Sequence, residues 1–151
     1  MDTQLTSTAT PPPRSWLAWG RFFLVLVGLG ISGYLSWAHT GGVALVCSDS
    51  GLVNCAKVTS SAQSYFLGVP VAYWGLLFYA VAAAIHWPTL RGVRVESLRL
   101  ATMTSGVLFV LWLVYAEFVL IGSICLWCTG VHLVTATLFL LDLKSWLTSK
   151  Q

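Results

Sequence analysis

The chain has 151 residues, enough for one domain. Hydrophobic residues make up 57% of it and charged residues only 9%, against about 25% charged in ordinary soluble domains. So little charge cannot cover a water-facing surface, and the sparse basic residues exclude a nucleic-acid-binding protein. The composition therefore predicts an integral membrane protein.

The chain opens with a polar segment and continues with four apolar stretches. Residues 1–15 contain small polar residues and a proline run, which predicts a disordered N-terminus. The first apolar stretch, about 16–37, is expected to be a retained helix rather than a cleaved signal peptide. The others cover about 69–87, 100–122 and 124–143, each near the roughly 20 residues that a span needs. The predicted fold is an all-α membrane bundle of four helices.

Two loops differ in character. The long loop, 38–68, contains Cys47 and Cys55, and its Tyr65-Phe66-Leu67 run could insert a short amphipathic piece into the membrane interface. The short loop, 88–99, is basic. Near the ends of the spans, Arg21 is expected to snorkel, and both His39 and His86 are expected to be solvated.

The basic residues predict an orientation. Seven of the eight fall on one side of the four predicted spans, and the positive-inside rule makes that side cytoplasmic. Both termini are then inside, whereas the long loop and the start of the fourth span face outward, where disulfides persist. The seven are Arg14, Arg21, Arg91, Arg94, Arg99, Lys144 and Lys150, which leaves Lys57 outside.

A Cys-x-x-Cys pair heads the fourth span. Cys125 and Cys128 are three residues apart, so on a helix both sulfurs lie on one face. Ser123 is the predicted N-cap, which places Cys125 in the first helical turn. Free N–H groups and the positive end of the helix dipole favour a thiolate there.

Two cysteine pairs on one face allow three interpretations. They could be structural disulfides, although a bridge within Cys-x-x-Cys closes a very short loop and stabilises little. They could form a four-cysteine zinc site, which expects thiols that stay reduced. They could also form a relay in which thiol–disulfide exchange passes electrons to a lipid-soluble carrier such as a quinone.

The order of these motifs resembles the bacterial type of the vitamin K epoxide reductase family, from about residue 20 to near the end of the chain. In a second family, similar to disulfide bond protein B, the Cys-x-x-Cys follows the first span instead. The motifs of the resemblance are Cys47, Asn54-Cys55-x-x-Val58-x-x-Ser61, Gly68-Val69-Pro70, Trp74-Gly75, Tyr115 and Ile124-Cys125-x-x-Cys128.

The resemblance implies a quinone-dependent oxidoreductase in the inner (plasma) membrane, with residues 16–146 as the membrane domain and 147–151 as a cytoplasmic tail. It implies that Cys128 attacks the quinone, either ubiquinone or menaquinone, and that Cys125 resolves the adduct. Cys55 would exchange with Cys125, and Cys47 with a thioredoxin-like (DsbA-like) protein outside the cytoplasm, which is expected to be a separate chain rather than a fused domain. Electrons would pass from that partner to the quinone, which makes disulfides for secreted proteins. No metal is implied.

Two further residues gain meaning from the resemblance. Ser61 matches a family serine near the quinone, although a loop serine alone is usually solvated. His132 lies one turn after Cys128 and could donate a hydrogen bond or a proton to a quinone carbonyl. Val71 stands where the animal enzymes have an asparagine near the naphthoquinone, which favours simple quinone reduction over epoxide chemistry.

The remaining candidates rest on weaker signals. Trp74, Phe78 and Tyr79 lie at helical spacing and could line a flat apolar pocket or simply pack in the core. Leu113 is a weaker candidate for the same pocket. Glu117 lies in an apolar stretch, so it is expected to be protonated or to face the bundle interior as a proton relay, or to lie near the interface.

Overall fold

The computed structural model describes residues 14–47, 50–91 and 94–150, so the predicted disorder of residues 1–13 lies outside the described residues. Four long helices and one short helix account for most of the described chain, and the prediction of an all-α membrane bundle is confirmed. The helices are α1 (Arg14–Gly41), α2 (Cys55–Thr59), α3 (Val71–Leu90), α4 (Glu96–Tyr115) and α5 (Leu126–Ser149).

Each long helix extends beyond its predicted apolar stretch at one end or both. α1 continues past Trp37 to Gly41, and α5 remains helical up to Ser149, within the stretch predicted as a tail. The basic loop is shorter than predicted, because α3 reaches Leu90 and α4 already begins at Glu96. Apolar side chains end near the hydrocarbon boundary, but a helix can extend beyond it into the interface.

The bundle packs α1 against α3 and α5, and α4 against α5. Two glycines let aromatic rings of α3 approach: a methyl group at Gly28 would overlap the Tyr79 ring, and one at Gly106 would overlap the Phe78 ring. Tyr79 is central to the buried core, which it forms with Val25, Ala82, Met103 and Leu138. Large apolar side chains on the outside of the helices stay exposed, as expected of a surface that faces lipid; they include Leu108, Leu111, Leu133 and Leu140.

The long loop folds over one end of the bundle. α2 begins where Asn54 Oδ1 accepts the amide of Lys57 at 2.8 Å. A 3₁₀ turn, Ala62–Ser64, leads into a hairpin of β1 (Tyr65–Phe66) and β2 (Val69–Pro70). The Tyr65-Phe66-Leu67 run lies in this hairpin, where the chain reverses at Gly68 (φ +78°). Its insertion into the membrane interface stays a prediction.

A buried ionic cluster joins the four long helices at the end opposite the cysteines. Asp142 of α5 is fully buried, and its Oδ1 lies 3.5 Å from Nε of Arg21 on α1. The same oxygen lies 3.4 Å from Nε of Arg99 on α4. Asp142 Oδ2 lies 3.2 Å from Nε2 of His86 on α3. Each long helix therefore contributes one side chain to this cluster.

Two expectations fail at this cluster. Arg21 does not snorkel outward, since its Nη2 donates to the Leu141 carbonyl at 2.8 Å and its Nε faces Asp142. His86 is buried rather than solvated, because its Nδ1 bonds the Ala82 carbonyl at 2.8 Å while Nε2 faces Asp142. A carbonyl only accepts, so Nδ1 is the donor in the hydrogen bond to Ala82. His39, by contrast, is half-exposed and meets the Tyr65 hydroxyl at 3.1 Å.

Candidate functional site: four cysteines above an apolar cavity

The loop pair is oxidised and is attached to the segment that precedes α5. Cys47 and Cys55 form a disulfide, with their Cα atoms 6.1 Å apart. Ile124 donates its amide to the Leu52 carbonyl at 2.8 Å and accepts the amide of Asn54 at 3.1 Å. These two hydrogen bonds place the start of α2, and with it Cys55, beside Cys125.

The helix pair is reduced and lies at the start of α5. Cys125 itself is the N-cap, since its sulfur accepts the backbone N–H of Cys128 at 3.3 Å. The prediction that Ser123 is the N-cap is therefore wrong. Its hydroxyl donates to the Gly122 carbonyl instead, and the pairing of Ile124 with the loop keeps the chain extended until Leu126.

The two free thiols contact each other. The Cys128 thiol donates to Cys125 Sγ, with 2.6 Å between the sulfurs. This hydrogen bond lowers the pKa of Cys125, and the backbone amides at the start of α5 act in the same direction. Burial and the nearby charge of Glu117 oppose the shift. Cys125 is therefore favoured as the thiolate of the pair, in agreement with its position at a helix N-terminus.

The four sulfurs form a sequence from the surface to the interior. Cys55 and Cys125 are both fully buried and belong to one cluster, against which Cys47 and Cys128 pack. Cys47 lies beside a surface depression with Val46, Leu126 and Trp127. Cys128 lies at the other end of the row and faces a separate cavity inside the bundle. The two outer sulfurs thus line two different spaces.

The inner cavity has a volume of about 660 Å³ and a largely apolar wall. Pockets of this size hold small organic ligands in many proteins. Every residue that the sequence analysis proposed for quinone binding or proton relay reaches this wall, together with Cys128; they are Ser61, Trp74, Phe78, Tyr79, Leu113, Glu117 and His132. The structure brings them to one place, while their individual roles stay predictions.

Two ionisable side chains enter this apolar space beside Cys128. His132 is only 7% exposed and lines the cavity wall together with Cys128. Glu117 is buried at the end of α4, where the helix widens into a π-helical turn, Ala116–Ile121. Such turns often occur at functional sites. At the end of this π-helical turn, the Ser123 amide donates a hydrogen bond to the Glu117 carbonyl at 3.0 Å.

The hairpin of the long loop covers the cavity between α3 and α4. Trp74 donates its ring N–H to the Phe66 carbonyl at 3.1 Å, and the Phe66 ring packs edge-on against Phe109 of α4. Tyr79 closes the inner end of the cavity, and its hydroxyl is bonded to the Val131 carbonyl and to Thr135 Oγ1 at 3.1 and 2.8 Å. Tyr79 therefore contributes its ring rather than a free hydroxyl.

Sequence reasoning did not identify Tyr34 and Trp127, which bind the backbone beside Cys47. For Trp127, the sequence signal that could have indicated a role is its position between Cys125 and Cys128. It also did not foresee that the polar residues Gln63, Ser105 and Thr135 contribute to the wall. These residues lie on three different elements, so no local spacing in the sequence connects them.

A metal site is not favoured by the cysteine geometry. Within the part of the chain that the structure describes, no group of three or more His, Cys, Asp or Glu side chains is placed to hold an ion. The Cys47–Cys55 bridge also removes two of the thiolates that a four-cysteine zinc site requires.

Four membrane-length helices that carry an oxidised cysteine pair against a reduced pair define a membrane-embedded thiol–disulfide protein. Comparison with known families agrees with this class. Residues 19–143 match the vitamin K epoxide reductase family, and the chain belongs to that family. It is a multi-pass membrane protein and an oxidoreductase that acts on disulfides.

Proposed function

We propose that the protein oxidises the thiols of an extracytoplasmic thioredoxin-like protein and passes the electrons to a membrane quinone. The observation that carries this proposal is the row of four sulfurs, which begins beside a surface depression at Cys47 and ends at an apolar cavity at Cys128. The two outer sulfurs can therefore serve two reactants that never meet.

The cavity suits a quinone head group. Its wall is largely apolar, with aromatic rings from α3, and the buried imidazole of His132 lies on the same wall as Cys128. A quinone is flat and apolar and carries two carbonyl oxygens that need hydrogen-bond donors. His132 is assigned as such a donor and Glu117 as a proton carrier beside the thiols, since both reach the same wall as Cys128.

Electron transfer to the quinone takes two steps in this proposal. The pair starts as the Cys125 thiolate and the Cys128 thiol. Cys128 passes its proton to Cys125, and its sulfur attacks the quinone ring and forms a carbon–sulfur bond. Cys125 then releases that proton to the quinone and attacks Cys128 Sγ, which breaks the carbon–sulfur bond, forms the Cys125–Cys128 disulfide and releases the reduced quinone with two electrons. The second proton of the reduced quinone comes from solution, so atoms and charge balance.

The same proposal includes an orientation. We infer that the cysteine end faces the extracytoplasmic side of the plasma membrane and that both chain ends lie in the cytoplasm. The positive-inside distribution supports this, because Arg91, Arg94 and Lys144 lie near the helix ends remote from the cysteines.

Two cysteine variants test the function. Anaerobic mixing of the reduced protein with ubiquinone or menaquinone, followed by quinone absorbance, should show rapid reduction by the wild type and none by Cys128→Ser. Cys47→Ser should still reduce quinone when a small dithiol supplies electrons, yet it should lose turnover with the thioredoxin-like protein. Full quinone reduction by Cys128→Ser would overturn the proposed role of that sulfur.

A further inference from the structure

The residue before Cys47 has both of its peptide polar groups bound by helix side chains. Trp127 Nε1 donates to the Val46 carbonyl at 2.9 Å, and the Val46 amide donates to the Tyr34 hydroxyl at 3.2 Å. The two aromatic rings pack against each other with centroids 4.8 Å apart. One residue of α1 and one of α5 thus hold the same peptide.

The other contacts of this part of the loop are the Cys47–Cys55 bridge, the packing of Leu45 and Cys47 against the Cys55–Cys125 cluster, and the hydrogen bond from the Val43 amide to the Ala38 carbonyl at 3.1 Å. The Val46 side chain is 81% exposed, and residues 43–47 belong to no helix or strand. Trp127 lies between Cys125 and Cys128, so the segment that carries the helix pair also holds the segment that carries Cys47. The residue before Cys125 also holds the long loop, because Ile124 forms hydrogen bonds with Leu52 and Asn54.

We propose that Tyr34 and Trp127 are positioning residues that hold Cys47 in place for the internal exchange between the two cysteine pairs. This inference rests on the proposed function, because it concerns the step that links the partner to the quinone. Neither residue lines the inner cavity, and each acts through the Val46 backbone.

The exchange needs Cys47 for its second step. After the partner has reduced the loop pair, the Cys55 thiolate attacks Cys125 Sγ of the Cys125–Cys128 disulfide, and Cys128 leaves as a thiolate. The Cys47 thiolate then attacks Cys55 Sγ of the mixed disulfide, and Cys125 leaves as a thiolate. Two electrons move from the loop pair to the helix pair, and the state that results is the one the structure contains.

Loss of the Val46 contacts should slow the second attack. A reduced loop is no longer closed by its disulfide, so the local concentration of Cys47 near Cys55 depends on the remaining contacts. A neutral hydrogen bond stabilises by an amount that corresponds to about a fivefold change in rate or population. Trp127→Phe and Tyr34→Phe should each slow resolution about fivefold, and the double variant by less than the product, since both act on one peptide.

A single-turnover experiment measures the resolution of the Cys55–Cys125 mixed disulfide in the absence of quinone. The full-length protein is oxidised with diamide, a small dithiol is added, and samples are quenched in acid for mass spectrometry of the Cys55–Cys125 peptide pair. Trp127→Phe and Tyr34→Phe should accumulate this mixed disulfide about fivefold above wild type. Trp112→Phe is the matched control, because Trp112 is half-exposed on α4 and lines neither the depression beside Cys47 nor the inner cavity, so it should resemble wild type.

A second measurement separates positioning from general damage. The rate at which the prereduced variants reduce quinone should equal that of wild type, because Cys128 faces the inner cavity. Wild-type levels of mixed disulfide in both variants would overturn the proposal, as would an equal slowing of the quinone reaction. If Trp127→Phe does not fold, the level of mixed disulfide in Tyr34→Phe tests the same proposal, because Tyr34 binds Val46 from α1. A wild type that exchanges normally but never reduces quinone would reject the proposed function and leave this inference standing.

Discussion

Replacement of Asp142 by asparagine should destabilise the bundle strongly. Asp142 is fully buried and is the carboxylate that Arg21, Arg99 and His86 face at 3.2–3.5 Å. Asn keeps the size and removes the charge, which leaves the two buried guanidinium groups without their counter-ion in this cluster. Breaking a buried ion pair in this way costs about 3–5 kcal/mol.

This cost converts to a measurable shift in unfolding temperature. For chains of about 150 residues, 1 kcal/mol corresponds to roughly 2–4 °C, so Asp142→Asn should lower the midpoint by about 6–20 °C. Thermal unfolding in detergent can be followed by tryptophan fluorescence, since the chain has eight tryptophans. Glu96→Gln is the control, because it removes a half-exposed carboxylate from the same end of the bundle and should shift the midpoint much less.

The ionic cluster around Asp142 should affect the stability of the bundle and not the rate of quinone reduction. Asp142 lies seven residues after Thr135 of the cavity wall, which is about 10 Å along α5. Below its unfolding temperature, Asp142→Asn should therefore turn over quinone at the wild-type rate. A midpoint within about 2 °C of wild type would refute the ionic argument, and lost activity in a fully folded variant would refute the separation of the two ends.

Further predictions concern the thiols and the helix contacts. Cys128→Ala removes the hydrogen bond that lowers the pKa of Cys125, so the thiolate absorbance of Cys125 should appear at higher pH than in wild type. Glu117→Gln removes a charge that raises the pKa of Cys125, so it should move the same titration to lower pH, and shifts of equal sign in both variants would contradict the geometry. Gly28→Ala should lower the unfolding temperature because the added methyl meets the Tyr79 ring, whereas Gly30→Ala, which meets open space, should leave it equal or higher.

The sequence predicted the spans and the cysteine site because their signals are local. An apolar run of membrane length and a Cys-x-x-Cys spacing are visible within a few tens of residues. Glu117 was also recognised, since a carboxylate in an apolar span has few acceptable environments and one of them is the buried position that it occupies. Family resemblance then connected the loop residue Ser61 to the same cavity.

The rest depends on contacts between distant segments. Asp142 meets Arg21, 121 positions earlier in the chain, and no periodicity within either helix indicates that pairing. The N-cap shifts from Ser123 to Cys125 because Ile124 pairs with the loop, which is a tertiary event. The Val46 contacts likewise join α1, the loop and α5. Local propensity gives the elements, whereas packing decides which polar groups meet.

The central claim is that electrons pass along the four sulfurs in one order, from the loop pair through Cys125 and Cys128 to a quinone. The most direct measurement is the number of quinone molecules reduced anaerobically by each fully reduced protein. The account predicts two for wild type, one for Cys55→Ser, in which the helix pair is isolated from the loop pair, and none for Cys128→Ser. Two quinones reduced by Cys55→Ser, or any reduced by Cys128→Ser, would contradict it.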